Sequence, residues 1–154
     1  MVKYWLVKSE EAEFSIDDMQ REDIIYWGGI RNYQARNFLR QFKVGDKVLF
    51  YHSNCKPPGV AGVVSVFHEG MADPEQFDPS SKYFDEKSTI FNPRWTCVDL
   101  KFELKFTNFV SLNEIKEEID LSEMKLVQKG NRLSVMPVTK KEFDLIVRMG
   151  SKFE

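Results

Sequence analysis

The sequence predicts an α+β fold built on a curved, barrel-like and mostly antiparallel sheet. Val98, Leu100, Phe102, Leu104 and Phe106 alternate with Asp99, Lys101, Glu103, Lys105 and Thr107, the period of two expected of a half-buried antiparallel strand. Val60 to Phe67 is a nearly continuous apolar run, as a strand buried on both faces requires. Helical segments interrupt the strands without the regular strand-helix alternation of a parallel α/β fold.

Taken in order, Tyr4 to Val7 is a short aromatic and β-branched strand that opens into a loop at Lys8-Ser9-Glu10-Glu11. Ser15 with Asp18 three residues on is a variant capping box and starts a short helix over 16–21. Trp27-Gly28-Gly29 breaks the pattern. Asn32 caps the next helix, where Ala35, Phe38, Leu39 and Phe42 form the apolar face and Arg36, Arg40 and Lys43 the basic one. Val44-Gly45-Asp46 turns into a strand over 47–53, whose polar end is Tyr51-His52-Ser53-Asn54. Pro57-Pro58-Gly59 then leads to the central strand. Residues 71–93, with Pro74, Pro79, Pro93 and several aspartates, form a long irregular excursion with one helical turn. Excursions of this length are often functional. Ser111-x-x-Glu114 and Thr139-x-x-Glu142 are capping boxes for helices near 112–118 and 140–149, and Arg132 to Pro137 is a short strand between them.

With 154 residues, 42% hydrophobic and 30% charged, the chain can bury one real core. No apolar run approaches the roughly 20 residues that span a bilayer. The start, with neither a basic region nor a small-residue cleavage site, argues against a secretory signal and for an intracellular protein. Cys55 and Cys97 make neither a disulfide framework nor a metal site by themselves. They could pair with His52 or His68 as a nucleophile, but the bland reading of a loop cysteine and a core cysteine is preferred. No ligand spacing, calcium loop or phosphate-cradling glycine motif is present, so no metal or cofactor is expected.

The net charge of −2 conceals an uneven distribution. Residues 9–23 carry seven acids against Arg21. Residues 31–47 carry Arg31, Arg36, Arg40, Lys43 and Lys47 against Asp46, and residues 125–152 carry seven Lys or Arg against Glu142 and Asp144. Such runs are ordinarily solvated faces, yet they can give a mildly acidic protein a basic surface. Aromatic and hydrogen-bonding residues also gather at strand ends and loops: Lys8 and Ser9, Trp27, Arg31 and Asn32, Tyr51 to Asn54, Arg94 and Trp95, and Arg132 to Ser134. A planar heterocycle needs a ring to stack on, polar groups for its edge, and cations for attached phosphates. These segments contain all three.

Tyr4-Trp5-Leu6-Val7-Lys8-Ser9-Glu10, the run from Trp27 through Ile30-Arg31-Asn32-Tyr33-Gln34-Ala35-Arg36 to Arg40, Phe50-Tyr51-His52-Ser53-Asn54, Pro58-Gly59-Val60-Ala61-Gly62, Tyr83-Phe84-Asp85, Asn92-Pro93-Arg94-Trp95 and Arg132 to Val138 resemble the EVE domain of the thymocyte nuclear protein family. The likeness covers nearly the whole chain, so residues 1–154 are expected to form one such domain. It implies a PUA-like fold, a curved barrel with peripheral helices, and a non-enzymatic reader that holds a flipped or unpaired modified base such as 5-methylcytosine. DNA is the favoured partner and RNA a possible one, with no membrane; oligomeric state is left open. On this reading Trp27 stacks on the base, while Ser9, Asn32, Ser53 and Asn54, with Ser134, meet its edge. Tyr51 and His52 close the wall, and Lys8, Arg31, Arg94 and Arg132 contact phosphates. A nucleotide-processing enzyme and a protein-interaction module are the rival classes. The sequence departs from the family at Glu11, where proline usually follows Lys-Ser-Glu. It also lacks the basic leader of nuclear relatives, which suits a bacterial cytoplasmic protein.

Overall fold

The computed structural model describes residues 1–151. Lys152, counted above in the second basic segment, lies outside them. Six strands, β1 (Tyr4–Glu10), β2 (Ile24–Trp27), β3 (Lys47–Ser53), β4 (Gly59–Ala72), β5 (Thr96–Ser111) and β6 (Val135–Val138), form one sheet in the order β2-β5-β4-β3-β1-β6. Among the described residues four α-helices accompany them: α1 (Ile16–Glu22), α2 (Tyr33–Leu39), α3 (Leu112–Glu117) and α4 (Lys140–Gly150). The β1–β3 pair is parallel and the other four pairs are antiparallel, as expected. Among the described residues, no helix is long and apolar enough to cross a membrane.

The expected barrel is not closed, because the hydrogen-bonded order ends at β2 and β6. Two apolar clusters explain an open sheet. Leu6, Leu49, Tyr51, Val60 and Val63 pack with Ile115 of α3 and with Phe143 and Ile146 of α4. Trp5, Val7, Val48, Phe50, Ala61 and Val64 pack with Ile16 and Met19 of α1 and with Ala35 and Leu39 of α2. Alternate residues of β1, β3 and β4 thus enter opposite cores, each covered by helices, as expected for the doubly buried central strand. Register shifts between Val60 and Gly62, Val63 and Val64, and Val66 and His68 occur along β4. Each such bulge bends its strand. On β5, Leu104 of the alternating run is 40% exposed.

The strand β2 was not foreseen. Ile24 to Trp27 is apolar and aromatic, but it is only four residues long and follows α1 after Asp23, which has φ of 69°. Pairing with β5, Trp27 opposite Val98, makes it a strand. Buried Asp46 ties the first strand to the turn before β3. Its carboxylate accepts from the Lys3 and Lys43 amides, 3.0 Å each, and from Trp5 Nε1 at 2.9 Å.

The excursion runs from Asp73 to Trp95 and contains one 3-10 turn, Pro74–Phe77, capped by Asp73. Fully buried Gln76 staples its two ends. Its Nε2 donates to the carbonyls of Asp73 and Trp95, both at 2.8 Å, and its Oε1 accepts from the Arg94 and Trp95 amides at 3.0 Å. The excursion is therefore an ordered wall beside the sheet.

Candidate nucleic-acid interface

Where the end of β1, the end of β2 and the excursion meet, they enclose a cleft of about 420 Å³. Phe14, Tyr26, Trp27 and Tyr83 provide rings, Glu10, Glu13 and Glu75 carboxylates, and Lys8, Ser9 and Ser134 further polar groups. Each wall has a local cause. Ser9 Oγ donates to the Phe14 carbonyl at 2.6 Å, and the Phe14 amide donates to the Glu10 carbonyl at 2.9 Å, so the turn after β1 folds back over the sheet. The Lys8 amide donates to the Ser134 carbonyl at 2.9 Å and brings the segment before β6 to the rim. Burial holds the Lys8 ammonium below the usual lysine range, and it lies 5.7 Å from the centre of the Tyr51 ring.

Trp27 is half-buried. It meets Phe50 edge-on at 5.5 Å and Phe14 at 6.3 Å, so its indole is fixed by the second core while lining the cleft. The adjacent glycines fit tight backbone packing. A side chain on Gly28 would come within 2.6 Å of the Tyr26 ring and 2.8 Å of the Asp73 carboxylate, and one on Gly29, with φ of +72°, within 2.9 Å of the Tyr83 ring. Tyr26 donates its hydroxyl to Glu75, and burial together with that carboxylate raises its pKa. Glu75 in turn accepts from Ser81 at 3.0 Å.

Asp73, 0% exposed, organises the far wall. One carboxylate oxygen accepts from the Gly29 amide at 2.7 Å and from Arg31 Nη1 at 3.0 Å, while the other accepts from the Glu75 amide at 2.9 Å. Arg31 also donates to the carbonyls of Tyr83 (3.0 Å) and Ile30 (3.1 Å), and its guanidinium lies over the Tyr83 and Trp95 rings at 5.4 and 5.3 Å. Its remaining terminal nitrogen, Nη2, is buried with no hydrogen-bond partner among the described residues.

The structure thus brings Lys8, Ser9, Trp27 and Ser134 together in the cleft. Asn32 and Arg132 line an adjoining groove. The other residues singled out from sequence do not themselves line the cleft. Tyr51 belongs to the first core, where burial raises its pKa. His52 is 4% exposed and accepts from the Ile16 amide through Nε2 at 3.0 Å, which satisfies the first turn of α1. Its Nδ1 lies 3.6 Å from the carboxylate of Glu11, and burial keeps its pKa below the usual histidine value. Ser53 ends β3 opposite Glu10, and Asn54, with φ of 52°, donates to Glu10 at 2.6 Å. Arg31 is turned onto Asp73, and Arg94 Nη1 lies 3.4 Å from the Tyr33 hydroxyl.

Sequence reasoning passed over Phe14, Tyr26, Glu13, Asp73, Glu75 and Tyr83 as site residues. Tyr83 and Asp73 stand in an excursion whose length marked it as functional. Tyr26 and Phe14 carried no local signal.

The EVE domain family model matches residues 3–149. Human thymocyte nuclear protein 1 is 38% identical over 97% of this chain and 74% of its own length. A crystal structure of a Pseudomonas syringae protein superimposes with a TM-score of 0.92 at 46% identity, covering 96% of this chain and 99% of that one. Human THYN1, in a crystal structure with DNA containing 5-methylcytosine, gives 0.91 at 36% identity, covering 99% of each chain. By the family match across both cores and the cleft, and by identity sustained over nearly its whole length, this chain belongs to the EVE domain family.

Proposed function

We propose that this chain, as one domain over residues 1–154, is a non-enzymatic intracellular reader of modified nucleic acid. It holds a flipped or unpaired base, a modified cytosine in DNA, in the cleft beside Trp27. The observation that carries the reading is an indole braced edge-on by Phe14 and Phe50 that still lines a cleft of about 420 Å³. That volume falls within the roughly 300–1,000 Å³ of small-molecule sites. The likeness to a structure that contains 5-methylcytosine DNA supports the same ligand class.

The polar groups favour a base with an exocyclic amine. A carboxylate accepts from the cytosine amino group, and Glu13 is an exposed carboxylate of the cleft with no hydrogen bond to its side chain among the described residues. Lys8 and Ser134 complete the rim. Arg31 serves to position Gly29 through Asp73, and Tyr83 directly through its carbonyl. The reactive side chains do not favour covalent chemistry: burial pushes the Cys97 thiol up to about 12 and also raises Cys55, so neither is an activated thiolate. His52 Nε2 is occupied by the Ile16 amide.

The test is a binding panel of single- and double-stranded DNA and RNA, each carrying cytosine or 5-methylcytosine at one position. The expected result is tighter binding of the methylated DNA, most of all where that base is unpaired, since extracting a paired base costs a few kcal/mol. Tighter binding to RNA of the same sequence would reassign the polymer. Equal affinity for all bases would reject the reading.

A further inference from the structure

The two chain segments that close the base cleft continue past it. Ile30 and Ser134 line the cleft; one to four residues away along the chain, Asn32 and Gln34 on one segment and Arg132 and Leu133 on the other line a separate groove of about 460 Å³. The cleft wall carries Glu10, Glu13 and Glu75, whereas the groove is lined by Lys125, Lys129 and Arg132 with no carboxylate. All three cations are exposed, and none is in an ion pair among the described residues. Several other cations of the sheet and helices are committed: Lys101 to Asp23, Lys105 to Asp17, Lys47 to Glu103 and Lys140 to Asp144.

The backbone that bears these cations is fixed. Gln128 Nε2 donates to the carbonyls of Ser122 at 2.9 Å and Met124 at 3.3 Å, and Asn131 links the Lys125 carbonyl to the Leu133 amide. Met124 and Leu126 anchor the turn in the first core, and Gly130, with φ of +81°, lets it reverse. Opposite, Asn32 uses Oδ1 to cap α2, and its Nδ2 makes no hydrogen bond among the described residues. Three like charges around one groove repel one another unless an anion lies between them. A nucleic-acid backbone is a linear array of such anions, and its phosphate contacts position the ligand without reading it.

We propose that this groove is the backbone track of the protein: the sugar–phosphate strand leaving the base cleft runs through it, with phosphates against Lys125, Lys129 and Arg132 and Asn32 donating to a sugar or phosphate oxygen. The assignment rests on the base-reading function proposed above and divides the labour between two adjoining sites. The acidic aromatic cleft selects the base, and the basic groove supplies affinity that is independent of the base.

The experiment uses the full chain and its Lys125→Ala, Lys129→Ala, Arg132→Ala triple variant. Each binds one duplex containing 5-methylcytosine and its plain-cytosine twin, from 50 to 200 mM salt. Losing three phosphate contacts should lower the log–log salt slope by about 2.7, so wild-type affinity falls about 40-fold more than the variant's across that range. The ratio of methylated to plain affinity and the melting temperature should stay as in the wild type. A control that removes the same charge elsewhere, Lys43→Ala with Lys116→Ala and Lys141→Ala, should keep the wild-type slope. The groove assignment is overturned, with the base reading intact, if the triple variant keeps the wild-type slope, if the control loses as much, or if the methylated-to-plain ratio collapses in the triple variant alone. A wild type that binds no oligonucleotide at 50 mM salt overturns the base reading itself.

Discussion

Replacing Arg31 by leucine separates a positioning role from a phosphate-binding one. The substitution removes the cation at 3.0 Å from an Asp73 carboxylate that is 0% exposed, and leaves that carboxylate only the Gly29 and Glu75 amides at 2.7 and 2.9 Å. Removing one member of a buried pair costs about 3–5 kcal/mol. Two amide donors remain on Asp73, and the Arg31 side chain is 21% exposed, so the lower end applies, about 3 kcal/mol. For a chain of this size each kcal/mol moves the melting temperature by about 2–4 °C, giving a fall of about 6–12 °C. Thermal unfolding followed by circular dichroism measures the fall, and oligonucleotide binding at several salt concentrations, well below the melting transition, measures the slope. The slope should match the wild type. Adding Asp73→Asn should cost less than the sum of the two single changes, because the stranded charge is then gone. A melting temperature within 2 °C of wild type together with a slope smaller by about 0.9 would refute this reasoning and make Arg31 a phosphate ligand.

Trp27→Ala should cost about 2–3 kcal/mol of stability, less than the ~3–5 of a fully enclosed aromatic, and also about 1–3 kcal/mol of base affinity. Urea melts and titrations on the same variant give both numbers, Trp27→Phe should recover part of each, and unchanged binding by the folded alanine variant would remove Trp27 from the site. Glu13→Gln should lower affinity for a cytosine-type base about tenfold or more, the worth of a hydrogen bond to a charged group, while leaving the melting temperature unchanged; equal affinity would place the amine elsewhere. His52 is held neutral by burial, so its folded pKa lies below its unfolded value of 6.5. Stability is then complete above about pH 6.5 and falls as the pH drops below it, because the unfolded chain takes up the proton first. Urea melts from pH 7.5 to 5 should show this fall in the wild type and a shallower one in His52→Gln; equal slopes would show that His52 is not the titrating group.

Where a structural feature depends on residues three or four apart, it was legible in the sequence. The capping boxes Ser15/Asp18, Ser111/Glu114 and Thr139/Glu142 all form, and Asn32 caps α2, since a side chain can reach the amide three positions on without help from the rest of the chain. The apolar run of β4 announced a central strand for the same local reason. Tertiary structure alone decided the rest. It turned Arg31 onto Asp73, 42 residues away, and His52 onto Ile16, 36 residues away, and it left Lys125, Lys129 and Arg132 around a groove. A cation reads the same in a sequence whether its charge is spent inside the fold or presented to solvent. Only the position of a carboxylate far along the chain separates the two. The open sheet was decided in the same way, because a strand's period of two shows that its faces differ, whereas closure depends on which helices cover each face.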